Sequence, residues 1–484
     1  MKKPITRRQL LRSAGIGALG LGLSGAASRA LSGVFEPSSQ APPKPPGWYT
    51  RPDLKIPTLT VLHSEEGVSE DPIFIAPYNN PYGQQGAVIV AGDGEPIWEN
   101  PISNKVTTNF QAQSYRGSPV LTWWEGSIEL GHGVGEYVIA DSAYRTVRRV
   151  QAGGGLRGDL HEFVITERDT ALLTSYVVRN ADLTAVGGSR EGTIQDAIFQ
   201  EIDLANGEIL LEWHSLGHIP LRESYAEVTA DWDYFHINSV GLDGDGELLV
   251  SGRSTHTIYK IDRSGEIVWR LGGKHSDFEM APGTSFAWQH DARRQEDGTL
   301  SVFDNGATPA VEKLSRGLIL EVDQASMTAM LADEYVHPKI LSGSQGSVQL
   351  LANGNVFVGF GEAPHVSEFK RSGELLFDAI LGSDYESYRA FRMPWTGRPA
   401  QAPAIATGGA PTRPMAYASW NGATEVRAWQ LLSGPAPDRL GPAGNVPAKG
   451  FESALPIAGA GPCLAVRALD AAGATLGQSE ALRV

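Results

Sequence analysis

The clearest pattern along the chain is a short apolar run, bounded by glycine turns, that recurs behind a polar residue. The runs are residues 246–250, 298–302 and 354–358, and the polar residues that lead them are His236, His290 and Gln345, spaced by 54 and 55 residues. Short apolar runs between turn residues predict strands joined in hairpins. A polar residue at the same place in each repeat predicts side chains gathered around one axis.

Two further observations extend this repeat over most of the chain. His161 and Asn109 lead earlier runs, and the step of 75 residues from His161 to His236 indicates an insertion. A second set of runs has the positions of outer strands: 94–98, 145–150, 207–211, 265–269, 327–330 and 373–377. Units of about 40 to 50 residues with four strands each are typical of propeller blades. The sequence therefore predicts an all-β protein with a six-bladed β-propeller.

Composition divides the chain into five segments. Arg7 and Arg8 precede a short Gly-, Ala- and Leu-rich stretch, which predicts a twin-arginine export signal over 1–30. A Pro-rich lead-in covers 31–59, the propeller 60–398 and a second Pro-rich linker 399–414. Alternating runs in 415–484 predict a small β-sandwich of fibronectin or immunoglobulin type. The protein is thus expected in the periplasm, at the cell envelope or outside the cell, with no stable membrane span after signal removal.

The charge and the cysteine count limit the partners. The formal net charge is −15, which argues against nucleic acid as the main partner. Cys463 is the only cysteine, so the chain forms no internal disulfide and no structural zinc site built from two or more cysteines. The sequence indicates no cofactor and does not determine the oligomeric state.

The repeated polar residues carry the candidate chemistry. His161, His236, His290 and Gln345 are expected to converge at one mouth of the propeller channel, with Arg253 just beyond an inner strand. Histidines beside a guanidinium suit an anionic group. Structural histidines and a three-histidine metal site are the alternatives, although no metal is predicted. The 243–247 segment is interpreted as a hairpin turn rather than a calcium loop, and 131–135 as a weak phosphate-loop candidate. Trp124 fits either core packing or an aromatic wall.

Several blocks together resemble the arylsulfotransferase propeller family. The most specific are Phe235-His236-Ile237-Asn238-Ser239, Trp288-Gln289-His290-Asp291, Phe303-Asp304-Asn305-Gly306 and, in the tail, Ala418-Ser419-Trp420-Asn421-Gly422. The resemblance implies a six-bladed propeller that moves a sulfuryl group from an aryl sulfate to a phenolic acceptor without a nucleotide donor. It also implies a transiently sulfated histidine.

The resemblance assigns roles to individual residues. Catalytic roles are expected for His236 and His290, which match the histidine blocks of the family, with Arg253 as the sulfate clamp. His290 is the expected nucleophile, because it lies beside Asp291, and the polar groups of Asp304 and Asn305 can orient a ring nitrogen while Arg253 holds the sulfate. The next equivalent position, Gln345, cannot be sulfated in this way. Substrate contacts are expected from seven residues: Trp124, His161, Asn238, Asp291, Asp304, Asn305 and Gln345. The alternative function is a non-catalytic propeller that binds an anionic or aromatic ligand at the cell envelope.

Overall fold

The computed structural model describes residues 47–382, 384–410 and 412–484, and over these ranges the chain is built from strands. The all-β expectation is confirmed. The expected export signal over 1–30, and the lead-in as far as residue 46, lie outside the described residues. Where the chain is described, no helix has the length and apolar character needed to span a membrane.

The elements of the described chain are 34 strands and three short 3-10 helices. The strands are β1 (Thr60–Ser64), β2 (Ile73–Ile75), β3 (Gln85–Val90), β4 (Pro96–Ile102), β5 (Val106–Tyr115), β6 (Ser118–Glu129), β7 (His132–Ala140), β8 (Thr146–Val150), β9 (Phe163–Ile165), β10 (Thr170–Ala181), β11 (Gly192–Asp203), β12 (Ile209–His214), β13 (Ile237–Leu242), β14 (Leu248–Gly252), β15 (Thr257–Ile261), β16 (Ile267–Gly272), β17 (Glu279–Met280), β18 (His290–Arg294), β19 (Leu300–Asp304), β20 (Arg316–Asp323), β21 (Thr328–Val336), β22 (Ser347–Leu350), β23 (Val356–Gly359), β24 (His365–Phe369), β25 (Leu375–Ile380), β26 (Phe391–Arg392), β27 (Ala404–Ala410), β28 (Arg413–Ser419), β29 (Ala428–Ala436), β30 (Arg439–Pro447), β31 (Glu452–Pro456), β32 (Cys463–Leu469), β33 (Thr475–Gln478) and β34 (Leu482–Arg483). The 3-10 helices are η1 (Thr184–Val186), η2 (Leu221–Glu223) and η3 (Arg253–Thr255).

Strands β1 to β26 form six sheets of four or five strands each. In hydrogen-bonded order they are sheet 1 (β26-β2-β3-β4), sheet 2 (β5-β6-β7-β8), sheet 3 (β9-β10-β11-β12), sheet 4 (β13-β14-β15-β16), sheet 5 (β18-β19-β20-β21-β17) and sheet 6 (β22-β23-β24-β25-β1). Each sheet contacts the next through its inner strands, and β22 and β26 bring sheet 6 against sheet 1. The order of contacts is therefore cyclic, and we call this arrangement the sheet ring.

The two ends of this region close the ring by exchanging strands. The first strand, β1, pairs with β25 at the outer edge of sheet 6. The last strand, β26, pairs with β2 at the inner edge of sheet 1. The N-terminal strand thus belongs to sheet 6, and the C-terminal strand of the ring belongs to sheet 1. Separating sheets 1 and 6 therefore requires the loss of both strand pairings.

Apolar clusters fill the space between neighbouring sheets. Between sheets 4 and 5, for example, Leu249 and Trp269 pack against Val302 and Leu318, all of them buried. Such strands carry apolar side chains on both faces, because each sheet has a neighbour on either side. This explains why the inner runs of the sequence are almost continuously apolar.

The tail forms two further sheets, β27-β28-β31 and β30-β29-β32-β33, with β34 paired to β32. Ala418 and Leu455 of the first sheet share a core with Trp429 and Val466 of the second. One boundary differs from the sequence prediction: β27 lies inside the predicted linker 399–414, because this Gly- and Ala-rich segment still pairs with β28. The tail also contacts the sheet ring, since Asn421 accepts a hydrogen bond from the backbone N–H of Glu99 at 2.9 Å.

A buried ion network lies where the inner strands meet. Arg389, just before β26, donates from Nη1 to Glu162 at 2.9 Å and to Asn109 of β5 at 2.9 Å. Its Nη2 donates to the backbone carbonyl of Asn238 in β13 at 3.0 Å. Neither the Arg389 nor the Glu162 side chain is exposed to solvent. One guanidinium therefore joins sheets 1, 2 and 4 to the segment that leads into β9 of sheet 3.

Asp291 of β18 extends the network to the other two sheets. Its Oδ1 lies 2.9 Å from Arg293 Nε and 3.3 Å from Arg389 Nε. Its Oδ2 accepts the backbone N–H of Val348 in β22 at 3.3 Å. The network consequently reaches all six sheets of the ring.

We predict that Arg389→Met lowers the free energy of unfolding by about 3–5 kcal/mol, because it leaves buried carboxylates without their shared cation. Urea unfolding followed by tryptophan fluorescence measures the loss. The control is Arg398→Met, which removes an exposed guanidinium paired with Glu425 and should hardly move the transition. Equal midpoints for the two variants would contradict a central role for the network.

Candidate active site at the centre of the sheet ring

The repeated polar residues lie at the start of the inner strands. His236 directly precedes β13, His290 begins β18, and His161 and Gln345 each lie two residues before β9 and β22. His236 and Gln345 have left-handed backbone angles, with φ of 53° and 67°. The β13–β14 and β18–β19 pairings each change register at this end. Bulges of this kind redirect side chains, so the strand ends present these residues to the centre of the ring.

The structure brings the four residues together. The rings of His161 and His236 meet edge to face, with centroids 4.8 Å apart. Tyr388 lies between His161 and His290, its ring 5.6 Å from the first and 6.4 Å from the second. Gln345 touches His290 directly, since its backbone N–H donates to Nε2 at 3.2 Å. Residues whose neighbours in the set are 54 to 75 positions away in the sequence thus lie in one cluster.

A fourth histidine, not selected from the sequence, belongs to the same cluster. The ring of His132 lies 5.6 Å from that of His236 and 4.2 Å from that of Tyr176. The glycines around it have a packing role: a Cβ on Gly133 or Gly135 would lie 2.7 or 2.6 Å from the Trp124 ring. The weak phosphate-loop interpretation of 131–135 is therefore replaced by a strand whose glycines accommodate a tryptophan.

Two carboxylates, the buried Asp159 and the half-buried Asp233, orient the imidazoles. Asp159 Oδ2 accepts the Nδ1–H of His161 at 2.5 Å, and Asp233 Oδ2 contacts both Nδ1 of His236 and Nε2 of His132. Burial opposes the ionisation of Asp159, but the imidazole of His161 outweighs it and lowers the carboxyl pKa to about 2. Burial likewise opposes the ionisation of Asp233, yet His236 and His132 hold its pKa well below the usual range. Both carboxylates are therefore ionised at neutral pH.

Two of the imidazoles, those of His236 and His290, are kept neutral. Burial lowers the pKa of His236 to about 4, although the Asp233 carboxylate acts in the opposite direction. Burial, and then the positive charge of Arg253, hold the pKa of His290 well below its usual range. A neutral imidazole with Nδ1–H on a carboxylate carries its lone pair on Nε2. His236 has this arrangement.

His290 is held differently, because both of its ring nitrogens are engaged. Nδ1 lies 2.6 Å from Oδ1 of Asn305, whose amide nitrogen donates to the backbone carbonyls of Ser342 and Gln345. The amide orientation assigns the proton to Nδ1, and the Nε2 lone pair then receives the backbone N–H of Gln345. Asn305 thus orients His290, as the sequence suggested, but the lone pair is not available to a substrate.

Arg253 contributes the positive charge of the site. It follows β14 as the first residue of η3, and its backbone N–H donates to the carbonyl of His236 at 2.9 Å. Its guanidinium donates to the carbonyl of Gly343 at 3.1 Å and lies 5.0 Å from the centre of the Trp288 ring. A half-buried guanidinium of this kind matches the oxygens of a sulfate or sulfonate.

An aromatic stack continues from Arg253 towards the surface. Trp288 meets His256 edge to face at 4.4 Å, and His256 stacks on Tyr225 at 4.1 Å with nearly parallel planes. Lys274 Nζ lies 4.7 Å from the Tyr225 ring centre on the far side of the stack. Tyr225 is 42% exposed, so the stack presents an aromatic face to solvent between two cations.

Four residues predicted to contact substrate have structural roles instead. Trp124 is fully buried and donates to the carbonyl of Gly158 at 2.9 Å, so it is a core residue. Asp291 belongs to the ion network, and Asp304 pairs with Arg316 at 3.0 Å. Asn238 is fully buried and donates to the carbonyl of Gln289 at 2.6 Å. Gln345 lies in the cluster, but its side chain donates to Glu386 at 2.8 Å.

The two orienting carboxylates could have been identified from the sequence, but the histidine spacing alone does not include them. Asp159 stands two residues before His161, and Asp233 stands three residues before His236. An aspartate at such short range can reach Nδ1 of the histidine. Tyr176 and Tyr388 have no comparable signal, because strand pairing and a distant loop bring them to the cluster.

The donor atoms of His132, Asp233 and His236 lie within 4.8 Å of one another. This spacing would allow a metal ion, so the three-histidine alternative has a counterpart in the structure. The same atoms, however, already satisfy one another, since Asp233 accepts hydrogen bonds from both imidazoles. Hydrogen bonds within the triad therefore account for the close spacing of these three donor atoms.

The family model for arylsulfotransferase (ASST) matches residues 111–382, which is more than half of the 484 residues. The chain belongs to the arylsulfotransferase family. The resemblance inferred from the sequence blocks is thereby confirmed. The four histidines, both orienting carboxylates and Arg253 all fall inside the matched range, whereas Arg389 and the tail lie beyond it.

Comparison with other proteins adds distant likenesses only. No curated protein sequence matches the chain. A protein of unknown function from Bacteroides caccae has a TM-score of 0.42 at 10% identity, over 66% of this chain and 98% of that chain. One from Dyadobacter fermentans has a TM-score of 0.39 at 9% identity, over 68% and 93%. A streptogramin B lyase has a TM-score of 0.31 at 9% identity, over 63% and 78%. None of these likenesses bears on activity.

We predict that inorganic sulfate binds at Arg253 despite the negative charge of the whole chain. Arg253→Ala should weaken sulfate binding by about 10- to 100-fold, the equivalent of one or two charge-assisted hydrogen bonds. Isothermal titration calorimetry measures the affinity. The control is Arg371→Ala, which removes the same charge from the turn between β24 and β25. This turn lies at the end of sheet 6 opposite to Gln345. Equal weakening in both variants would mean that only net charge matters.

Proposed function

We propose that this member of the arylsulfotransferase family is an exported six-bladed β-propeller with a C-terminal β-sandwich, and that it transfers sulfuryl groups between phenols. The cyclic order of the six sheets and the exchanged strands β1 and β26 support the propeller. The shared core of the two tail sheets supports the sandwich. Arg7 and Arg8 ahead of an apolar stretch support export through the twin-arginine pathway.

One observation carries the proposed chemistry: two imidazoles lie 4.8 Å apart, each with Nδ1 held by a carboxylate, beside the guanidinium of Arg253. One imidazole can attack sulfur while the other accepts the proton of the acceptor phenol. Arg253 then holds the sulfuryl oxygens throughout. The donor is an aryl sulfate, and the aromatic stack from Trp288 to Tyr225 offers a face for the ring.

We assign the nucleophile to His161 rather than to His290. His290 has its lone pair occupied by the backbone N–H of Gln345, so attack would require that contact to break. His161 has Nδ1–H on Asp159, and no group of the described chain hydrogen-bonds to its Nε2. The carboxylate can also stabilise the positive ring that forms during the reaction, as in other carboxylate–imidazole pairs. His290 then acts as a positioning residue for the Gln345 backbone.

The transfer proceeds in two half-reactions. In the first, Nε2 of His161 forms a bond to sulfur, and the sulfur–oxygen bond to the aryl group breaks, so that the electron pair leaves on the phenolate. In the second, Nε2 of His236 takes the proton of the acceptor phenol, whose oxygen attacks sulfur. The nitrogen–sulfur bond then breaks and its electrons return to His161. His236 passes its proton through solvent to the released phenolate, which returns both imidazoles to their starting state. Asp159 stays ionised throughout.

A second function, ligand binding without turnover, keeps the same site. It is favoured by the small exposure of the histidines, which is 3% for His161 and 7% for His236. In that case Arg253 and the aromatic stack hold an aryl sulfate or sulfonate that is not consumed. The nucleophile experiment distinguishes the two functions.

Incubation with 4-nitrophenyl sulfate should leave one sulfated histidine, detectable by mass spectrometry at His161, and release nitrophenolate in a burst. His161→Ala should abolish both signals, a loss of at least about 10³-fold in kcat, because the residual chemistry lacks a nucleophile. His218→Ala, at an exposed imidazole outside the cluster, is the control. His290→Ala should retain the sulfated His161.

The outcomes separate the hypotheses. Sulfation at His290 would support the nucleophile expected from the sequence and exclude the assignment to His161. Binding of the aryl sulfate without any sulfated histidine in the unaltered protein would favour the ligand-binding function. Because His236 and His290 are neutral in the free site, neither can protonate the leaving oxygen, and donors with acidic phenols should also react faster than phenyl sulfate.

The buried state of His236 predicts an unusual pH dependence. His236 must be neutral to accept the acceptor proton, and burial lowers its pKa to about 4. Since the neutral form persists above that value, His236 should stay uncharged through pH 6 and become protonated only near pH 4. Histidine-selective NMR, with His236→Gln to assign the resonance, measures the titration. A midpoint near the ordinary value of about 6.5 would contradict this environment.

A further inference from the structure

Away from the four central histidines, two imidazoles and a carboxylate meet on the outer strands of sheets 5 and 6. His337 directly follows β21, the long outer strand of sheet 5. His365 begins β24 and Asp378 lies in β25, the neighbouring strand of sheet 6. The group therefore joins residues in or next to three strands of two sheets. None of them takes part in the proposed transfer of sulfuryl groups.

The carboxylate lies between the two rings. Oδ1 of Asp378 is 3.3 Å from Nδ1 of His365, and Oδ2 is 3.6 Å from Nε2 of His337. The ring centroids of the two histidines are 5.3 Å apart, and one donor atom from each of the three residues lies within 4.8 Å of the others. Zinc bonds of about 2.1 Å in tetrahedral geometry separate neighbouring donors by about 3.4 Å. The observed separations match that spacing.

His337 provides a second, independent observation. The residue is 7% exposed, and its Nδ1 has no hydrogen-bond partner within the described chain. Its Nε2 points at Asp378 from a distance too long for a hydrogen bond. Buried imidazoles without hydrogen bonds are uncommon, because an unmade hydrogen bond destabilises the fold. A metal ion between Nε2 and the carboxylate would bind the ring through the nitrogen that faces Asp378.

The surroundings suit a bound ion. Ser367 donates from Oγ to Oδ1 of Asp378 at 2.9 Å, which fixes the carboxylate as outer hydrogen bonds do around metal ligands. The side chain of His365 is 18% exposed, so the open side of the group faces solvent and can admit the ion and a water ligand. In the Asp233 triad the carboxylate bonds both imidazoles, whereas here Asp378 has a hydrogen bond at 3.3 Å to His365 and none to His337.

We propose that His337, His365 and Asp378 bind one Zn²⁺ ion through two imidazole nitrogens and a carboxylate, with water in the fourth position. The ion would connect the end of β21 in sheet 5 to β24 and β25 in sheet 6. Strand β25 also pairs with β1, so the metal would strengthen the part of the ring where its two ends join. Its role is structural and does not depend on the proposed transfer reaction.

The test measures zinc on the full chain. After treatment with EDTA, the protein is dialysed against Zn²⁺, and bound metal is counted by mass spectrometry and titrated by calorimetry. One ion per chain is expected, together with a rise in the thermal midpoint. His365→Gln and Asp378→Asn should each weaken zinc binding by at least about 10-fold. His275→Gln, at an imidazole with 65% side-chain exposure, should leave binding unchanged.

Other outcomes overturn the proposal. A chain that binds no zinc, or one that keeps its zinc in both variants, excludes this site. Zinc lost only in His132→Gln would assign the ion to the central histidine cluster instead. Should the variants fail to fold, histidine-selective NMR of the unaltered chain still decides: added zinc must shift the resonances of His337 and His365. Unmoved resonances would exclude the site as well.

Discussion

The ion network around Arg389 is the interaction on which the rest of the ring depends. One guanidinium binds Glu162, Asn109 and the Asn238 carbonyl, while Asp291 links it to β18 and β22. Charged groups without solvent exposure are stable only when every partner is present. The inner strands must therefore meet in one register, and that register places the histidines that precede β9, β13 and β18 next to one another.

The site above this network shows how an acidic protein can hold an anion. Asp159 and Asp233 bind Nδ1 of His161 and His236, so that the Nε2 atoms of both rings lie on the side away from these contacts. Arg253 provides the positive charge of the site. Local geometry, rather than the net charge of −15, thus determines what the site attracts. The same geometry distinguishes His161 from His290, whose two nitrogens are both engaged.

Much of the fold and part of the site could be predicted because they follow from local periodicity. The apolar runs behind His236, His290 and Gln345 fall on β14, β19 and β23, each the second strand of its sheet and not the innermost one. The six predicted outer runs overlap strands β4, β8, β12, β16, β21 and β25. The convergence of the leading residues follows from repetition alone. The structure differs from the prediction at β27. Its Gly- and Ala-rich composition predicted a linker, but the segment pairs with β28 as a strand.

The sequence by itself determined the repeat, the family and the histidines that the repeat carries, because these depend on short-range spacing. Only the tertiary structure decided which polar residues reach a ligand. Trp124 and Asp291 looked like site residues, yet packing buries the first, and an ion network that includes Arg389, 98 residues further along the chain, binds the second. Strand pairing brings His132 to the cluster, and the spacing of polar residues in the sequence does not indicate this. The direction of each imidazole lone pair depends on hydrogen bonds from distant strands, which no local pattern encodes.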